Sequence, residues 1–266
     1  MANPDQQAES PAPAGSDTAR PDRDEELSTA VAALTEDDVE PGDRRKLLAR
    51  LVRLQIRDRG VRDLFKPKKA VQWIADTLSD VTPHIPIRDL DTLRSHHDGL
   101  DGDALAERLI RNACRVTAGI GAASGGVAAV EWAVTPSLLS APVLLAAETV
   151  AVVAVEMKLI GELHEVYRRP IPGTGVQRGL ALIQAWSQRK GINPLKVGGG
   201  LAAAIGTAAR KELRDRLLKR FGRNLTTLGP FLTGAAVAGF LNRRSTLSLG
   251  EAIVKDLRTP QRVIEG

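Results

Sequence analysis

Residues 119–129 read Gly-Ile-Gly-Ala-Ala-Ser-Gly-Gly-Val-Ala-Ala, and they extend a pattern that begins near Asp103 as an amphipathic helix through Leu105, Leu109 and Ile110. Small residues recur at four-residue spacing in Gly121 and Gly125, in Gly198, Ala202 and Gly206, and in Gly234 and Ala238. On a helix this spacing gives a flat face without bulky side chains, against which a second helix backbone packs closely. Gly239 extends the last of these faces. Nowhere does the chain alternate apolar and polar residues with the period of two that marks a half-buried strand. The fold is therefore read as all-α: a compact multi-helix domain of Gly/Ala-rich, close-packed helices.

Working outward, Pro142 opens an apolar helix through Val150, Val153 and Met157 to about Tyr167, and Pro170–Gly175 is a loop. A helix follows over Leu180–Gln188, then the small-residue run Gly198–Gly206, the basic segment Arg210–Arg223 and an uncharged stretch, 224–242. A final helix is expected over Leu249–Leu257. Towards the N-terminus, residues 83–100 read as a linker with a short helix, and a helix runs through Trp73, Ile74 and Leu78. Another, over about 44–59, is capped by Asp43. Residues 27–39 form a short helix, and residues 1–26, rich in Pro, Ala, Ser and acids, read as disordered. The organisation is then an acidic arm (1–26), a basic helical region with its linker (27–100), a helical domain (101–258) and a tail (259–266).

The 266 residues are 43% hydrophobic but only 3% aromatic, with three Trp, one Tyr and four Phe. So few rings argue against most enzyme pockets, stacking platforms for single-stranded nucleic acid and aromatic-girdled barrels. The single cysteine, Cys114, excludes a disulfide framework and fits a reducing compartment. No secretory signal, myristoylation glycine or prenylation cysteine is read at the termini, so a cytoplasmic protein is expected.

Charge is segregated. The net +5 divides into −10 over residues 1–43, with 12 acidic and two basic residues, and +15 over 44–266. A basic body attracts anionic lipid, nucleic acid or an acidic partner, and the acidic arm is placed to fold back onto it. In the helix over 44–59, Lys46, Arg50, Arg53 and Arg57 stack in a stripe about 60° wide, beside a leucine face of Leu47, Leu51 and Leu54. Lys66, Lys68 and Lys69 form a second basic cluster around Pro67. These seven cations are the candidate anionic-surface site.

Chemistry is sparse. Glu162-Leu-His164-Glu165 lacks a second histidine, since position 168 is Arg168. His96 and His97 lie in the polar linker, where both are expected to be exposed. Gly198–Gly200 lacks the Lys-Ser/Thr of a phosphate-binding loop, and Gly119-x-Gly121-x-x-Ser124 follows a helix rather than a strand. No base accompanies Cys114. No catalytic set, cofactor or metal site is assigned, and a non-enzymatic protein is expected. Glu131, Glu148 and Glu156 fall in apolar helices, where internal pairing with basic residues is expected. The uncharged runs 116–130, 132–147 and 224–242 are interrupted by Gly, Ala, Pro or polar residues, so they read as core helices more than as membrane spans. The best spanning candidate is a hairpin over 116–157.

The stretch from about Asp103 to Leu257 resembles the EcsC protein family. The likeness rests on the order of Gly119–Ala129, Leu138-Leu-Ser-Ala-Pro142 with its long helix ending in Tyr167, and Ala181-Leu-Ile-Gln-Ala185. It is strongest in Leu228-Gly-Pro-Phe, Gly234-Ala-Ala-Val-Ala-Gly239, Leu241-Asn242, Thr246 and Gly250. The chain departs at Tyr167-Arg-Arg-Pro, where the family tends to have Tyr-Gly. The resemblance implies an all-helical, membrane-associated bacterial protein and carries over no catalytic residue. Together with the charge pattern, it leads to the expectation of peripheral docking, through the basic stripe, on the anionic cytoplasmic membrane surface or on a membrane protein. Binding of nucleic acid, with neither aromatic interleaving nor a helix-turn-helix signature, is the weaker alternative. Capture of a hydrophobic ligand is another.

Overall fold

The computed structural model describes residues 19–37, 39–59, 67–134, 141–189 and 232–259. The small-residue run with Gly198 and Gly206, the segment Arg210–Arg223, Lys66 and the arm before residue 19 lie outside the described residues, as do the side chains of Arg57, Lys68, Lys69 and Glu131. Among the described residues there are eight α-helices and no strand: α1 (Ala19–Leu34), α2 (Pro41–Arg59), α3 (Pro67–Val81), α4 (Leu90–His96), α5 (Gly102–Val134), α6 (Ala141–Val166), α7 (Gly175–Arg189) and α8 (Leu232–Arg258). A 3-10 turn, Thr82–His84, follows α3. The all-α reading holds.

Helix α6 is the axis of the molecule. Every residue from Leu145 to Leu163 is buried, so this mostly apolar helix is enclosed by protein on all sides. Helices α2, α3, α4, α5, α7 and α8 all pack on it. One continuous core runs from Leu27 and Leu34 through Trp73, Ile74 and Leu78 to Trp186, Ile253 and Leu257. Helices α1 to α4 therefore share a core with α5 to α8. No helix among the described residues is long and apolar enough to cross a membrane.

Local signals explain the helix ends. Pro41 opens α2, where its fixed φ suits the first turn and its missing N–H costs nothing. The Arg44 N–H donates to Glu40 O at 2.9 Å, which starts the helix three residues earlier than the Asp43 cap predicts. Asp89 caps α4, its Oδ1 accepting from Thr92 N at 2.8 Å. Helix α1 begins at Ala19, inside the segment read as disordered, and stops at Leu34. The last helix is also longer than expected, because nothing after Pro230 breaks it: Gly239, Asn242 and Gly250 are contact positions within one helix, α8.

Helices α5 and α8 are antiparallel. Asp103 meets Arg258 at one end, and Gly121 meets Ala238 at the other. The approach is close enough that a Cβ on Gly121 would stand 2.7 Å from the Ala238 carbonyl carbon, and one on Gly239 2.9 Å from Ala118 O. Gly125 lies further along α5 and Gly234 in the first turn of α8. The four-residue spacing of small residues thus marks a true backbone-to-backbone contact. Gly119, two residues away, faces only the side chain of Arg44.

At the departure from the family pattern, α6 ends in a Schellman motif. Arg169 N donates to His164 O at 2.9 Å and Arg168 N to Glu165 O at 3.0 Å. Arg168 holds φ +55°, the left-handed conformation that glycine favours.

Three expectations follow. Arg168→Gly relieves the left-handed strain and should raise stability by about 0.5–1 kcal/mol in a denaturant titration. Gly121→Ala and Gly239→Ala should each cost about 1–3 kcal/mol by forcing the helices apart. Gly119→Ala, meeting a flexible side chain, should be neutral or stabilising through helix propensity worth about 0.5–1 kcal/mol.

Candidate functional site

The leucine side of α2 is part of the core, with Leu48 and Leu51 buried. Lys46, Arg50 and Arg53 stand exposed on the opposite side. Lys46 Nζ is 2.8 Å from Asp43 Oδ1, so its charge is partly neutralised. Arg50 and Arg53 have no ion pair among the described residues. Arg44, one turn earlier, does something else. It is 4% exposed, and its guanidinium donates to Leu34 O at 3.4 Å and Val39 O at 3.1 Å, closing the C-terminal end of α1. A guanidinium there satisfies carbonyls left over at a helix end.

The buried carboxylates belong to a polar seam joining α6 to α5, α7 and α8. Glu148 accepts from Asn242 Nδ2 at 2.9 Å, and the same amide group donates to Thr117 O at 3.3 Å. Thr246 Oγ1 donates to Thr117 Oγ1 at 3.0 Å. One face along, Glu156 accepts from Trp186 Nε1 at 2.8 Å and from Ser245 Oγ at 3.4 Å. Among the described residues Glu148 and Glu156 thus meet an amide, an indole and a hydroxyl.

Glu162, also buried, holds two cations. Arg88 grips it with two bonds, Nε to Oε1 at 2.7 Å and Nη2 to Oε2 at 3.0 Å, and Lys158 Nζ lies 3.0 Å from Oε1. Asp37 extends the network to Arg88 at 3.5 Å and to Asn112 Nδ2 at 3.2 Å. These contacts fasten the segment after α1, the linker before α4, and α5 onto α6. The sequence signal was available, since Lys158 and Glu162 are spaced i,i+4 on a helix.

His97 corrects an expectation. It is buried at 8% exposure, while His96 is exposed as read. Burial and the neighbouring Arg88 hold the His97 imidazole below its ordinary pKa, and Nε2 has no hydrogen-bond partner among the described residues. The cause is the turn after α4, where Asp98 and Gly99 take positive φ and tuck His97 under the chain. His164 is half-buried rather than exposed, its Nδ1 2.9 Å from Arg169 O, and burial lowers its pKa too. Burial pushes the Cys114 thiol up to about 11, and its Sγ donates to Arg243 O at 3.5 Å, so it stays protonated at neutral pH. Among the described residues no cluster of three or more His, Cys, Asp or Glu could hold a metal.

Two adjoining clefts line the outer side of the α5–α8 pair. One, of about 410 Å³, is bordered by Arg111, Cys114, Arg115, Ala118, Arg243 and Leu247. The other, of about 550 Å³, carries mixed charge, with Asp103, Glu107 and Glu251 opposite Lys255 and Arg258. Sequence reading missed the first cleft because its arginines come from helices 128 residues apart in the chain, as Arg115 and Arg243 are. Compared with protein-family models, curated proteins and solved structures, the chain matches none.

The histidines set an acid limit on stability. An unfolded imidazole titrates near 6.5, and the folded protein holds that of His97 neutral to lower pH. Below about 6.5 the unfolded chain therefore binds more protons, and stability falls as pH falls. His97→Gln should flatten this decline in urea titrations run from pH 7 to pH 5, leaving the contribution of His164.

Proposed function

We propose that the chain is a non-enzymatic, peripheral membrane protein of the EcsC type that docks on the anionic inner surface of the cell membrane. The observation that carries this reading is the division of labour on α2. Its leucines are committed to the core, while Arg50 and Arg53 project from the opposite face without ion pairs among the described residues. A cationic side chain near an anionic bilayer is worth about 1 kcal/mol, so a short row of them gives reversible attachment that salt weakens. The +15 balance of residues 44–266 supports the same polarity over the whole body. The buried leucines of α2, Leu48 and Leu51, take no part in the attachment. Docking through this helix is electrostatic.

Co-sedimentation with vesicles of equal parts phosphatidylglycerol and phosphatidylcholine tests this. The protein should bind these vesicles, should ignore pure phosphatidylcholine, and should lose affinity by about tenfold or more in Arg50→Gln/Arg53→Gln. Unchanged binding by that variant rejects α2 as the contact; no binding by the wild type rejects the membrane reading altogether.

A further inference from the structure

The largest apolar side chains in the first half of α8 point the wrong way for a core helix. Inward, towards α5, this half presents Ala238, Gly239, Asn242 and Thr246, all small or polar. Outward it presents Val237 at 43%, Phe240 at 61% and Leu247 at 40% exposure. Phe240 and Leu247 are seven residues apart and lie within about 20° of each other on the helix. Single exposed apolar residues are ordinary, but an aligned set on the outer face of a helix whose inner face is made of small residues marks a contact surface.

The charges beside this stripe have one sign at one end. Arg243 and Arg244 lie on the same exposed side of α8, and Arg115 faces Arg243 across the 410 Å³ cleft, with Arg111 next to it. Arg111 is drawn to Glu107 at 3.3 Å, and Glu251 lies in the neighbouring cleft, so the cationic end is that of Arg115 and Arg243. Helix α5 also receives α8 at Ala118 and the Arg44 side chain of α2 at Gly119. By helical geometry the exposed strip of α5 with Arg115 therefore runs between α8 and α2. Helix α2 and the apolar stripe of α8 flank it on either side.

The geometry points to the α5–α8 groove as the surface that enters an anionic bilayer, with Phe240 and Leu247 in the interface and Arg115 and Arg243 on headgroup phosphates beside them. This rests on the membrane reading above and adds to it an apolar contact that α2 lacks. Aliphatic side chains and one phenyl ring among arginines match the boundary between headgroups and acyl chains. A nucleic-acid backbone offers nothing for Leu247 and Val237 to bind.

The test is co-sedimentation with the same phosphatidylglycerol and phosphatidylcholine vesicles at low and high salt, each variant first checked for wild-type helicity and melting. The wild type should keep a salt-resistant fraction on the vesicles. Phe240→Ser/Leu247→Ser should lose that fraction and bind about tenfold more weakly at low salt. Arg115→Gln/Arg243→Gln should weaken low-salt binding, while Arg50→Gln/Arg53→Gln should leave the salt-resistant fraction intact. Wild-type binding by Phe240→Ser/Leu247→Ser overturns the inference and leaves membrane docking to α2. Two other results overturn it: loss of self-association in that variant with unchanged vesicle binding, which makes the stripe a contact between two copies, and capture of duplex DNA through Arg115 and Arg243 by a chain that ignores vesicles.

Discussion

The rest of the structure depends on one requirement, the complete burial of α6. A helix buried on all sides leaves no face in water, so its neighbours are arranged around it. Its buried polar residues then dictate where particular partners stand. Glu148 requires a donor and receives Asn242 from α8; Glu156 receives Trp186 from α7 and Ser245 from α8; Glu162 receives Arg88 from the linker before α4. Each of these groups would be costly to bury without its partner. The polar seam thus ties three separate parts of the chain to the axis, and the apolar contacts fill the space between.

How much of this was legible in the sequence depends on how local the signal was. Residues 119–129 and the apolar run after Pro142 fixed helices α5 and α6, because their patterns are long and contain their own start signals. The close approach at Gly121 and Gly239 was legible for the same reason, since four-residue spacing of small residues has one physical meaning on a helix. His97 was not. Its burial comes from a turn with positive φ at Asp98 and Gly99, and a polar local composition hides a tertiary enclosure. The start of α8 was also misjudged: the helix was expected from Leu249 and begins at Leu232, because the uncharged stretch before it carries no local start signal.

The candidate surface was legible only in part. The stripe on α2 is a property of one helix and shows in the spacing of Arg50 and Arg53. The cationic cleft between α5 and α8 is a property of two, joined by antiparallel packing, and neither Arg115 nor Arg243 has any distinguishing sequence neighbour. Leucines beside the α2 stripe suit either an interface or a core in a helical projection, and Leu48 and Leu51 are core residues. The exposed apolar side chains are on α8 instead, where the sequence shows Phe240 and Leu247 embedded among small and polar residues that give no amphipathic signal.

The polar seam also answers a question that small-residue packing raises. Gly234, Ala238, Asn242, Thr246 and Gly250 repeat every four residues along α8. A uniform face of small residues would let α8 slide by one turn against α5 with little change in contact, because each step presents an equivalent groove. Asn242 and Thr246 interrupt that uniformity. Sliding by a turn would take Asn242 away from both Glu148 and Thr117 O, and Thr246 from the Thr117 hydroxyl, leaving buried polar groups to find new partners or none. A lost hydrogen bond of this kind costs about 1–3 kcal/mol, so three lost together outweigh any gain from repacking glycines and alanines. The register that puts Gly239 against Ala118 is therefore set by the polar residues. It is the same register that turns Phe240 and Leu247 outward and brings Arg243 opposite Arg115, so the exposed surface follows from the buried seam.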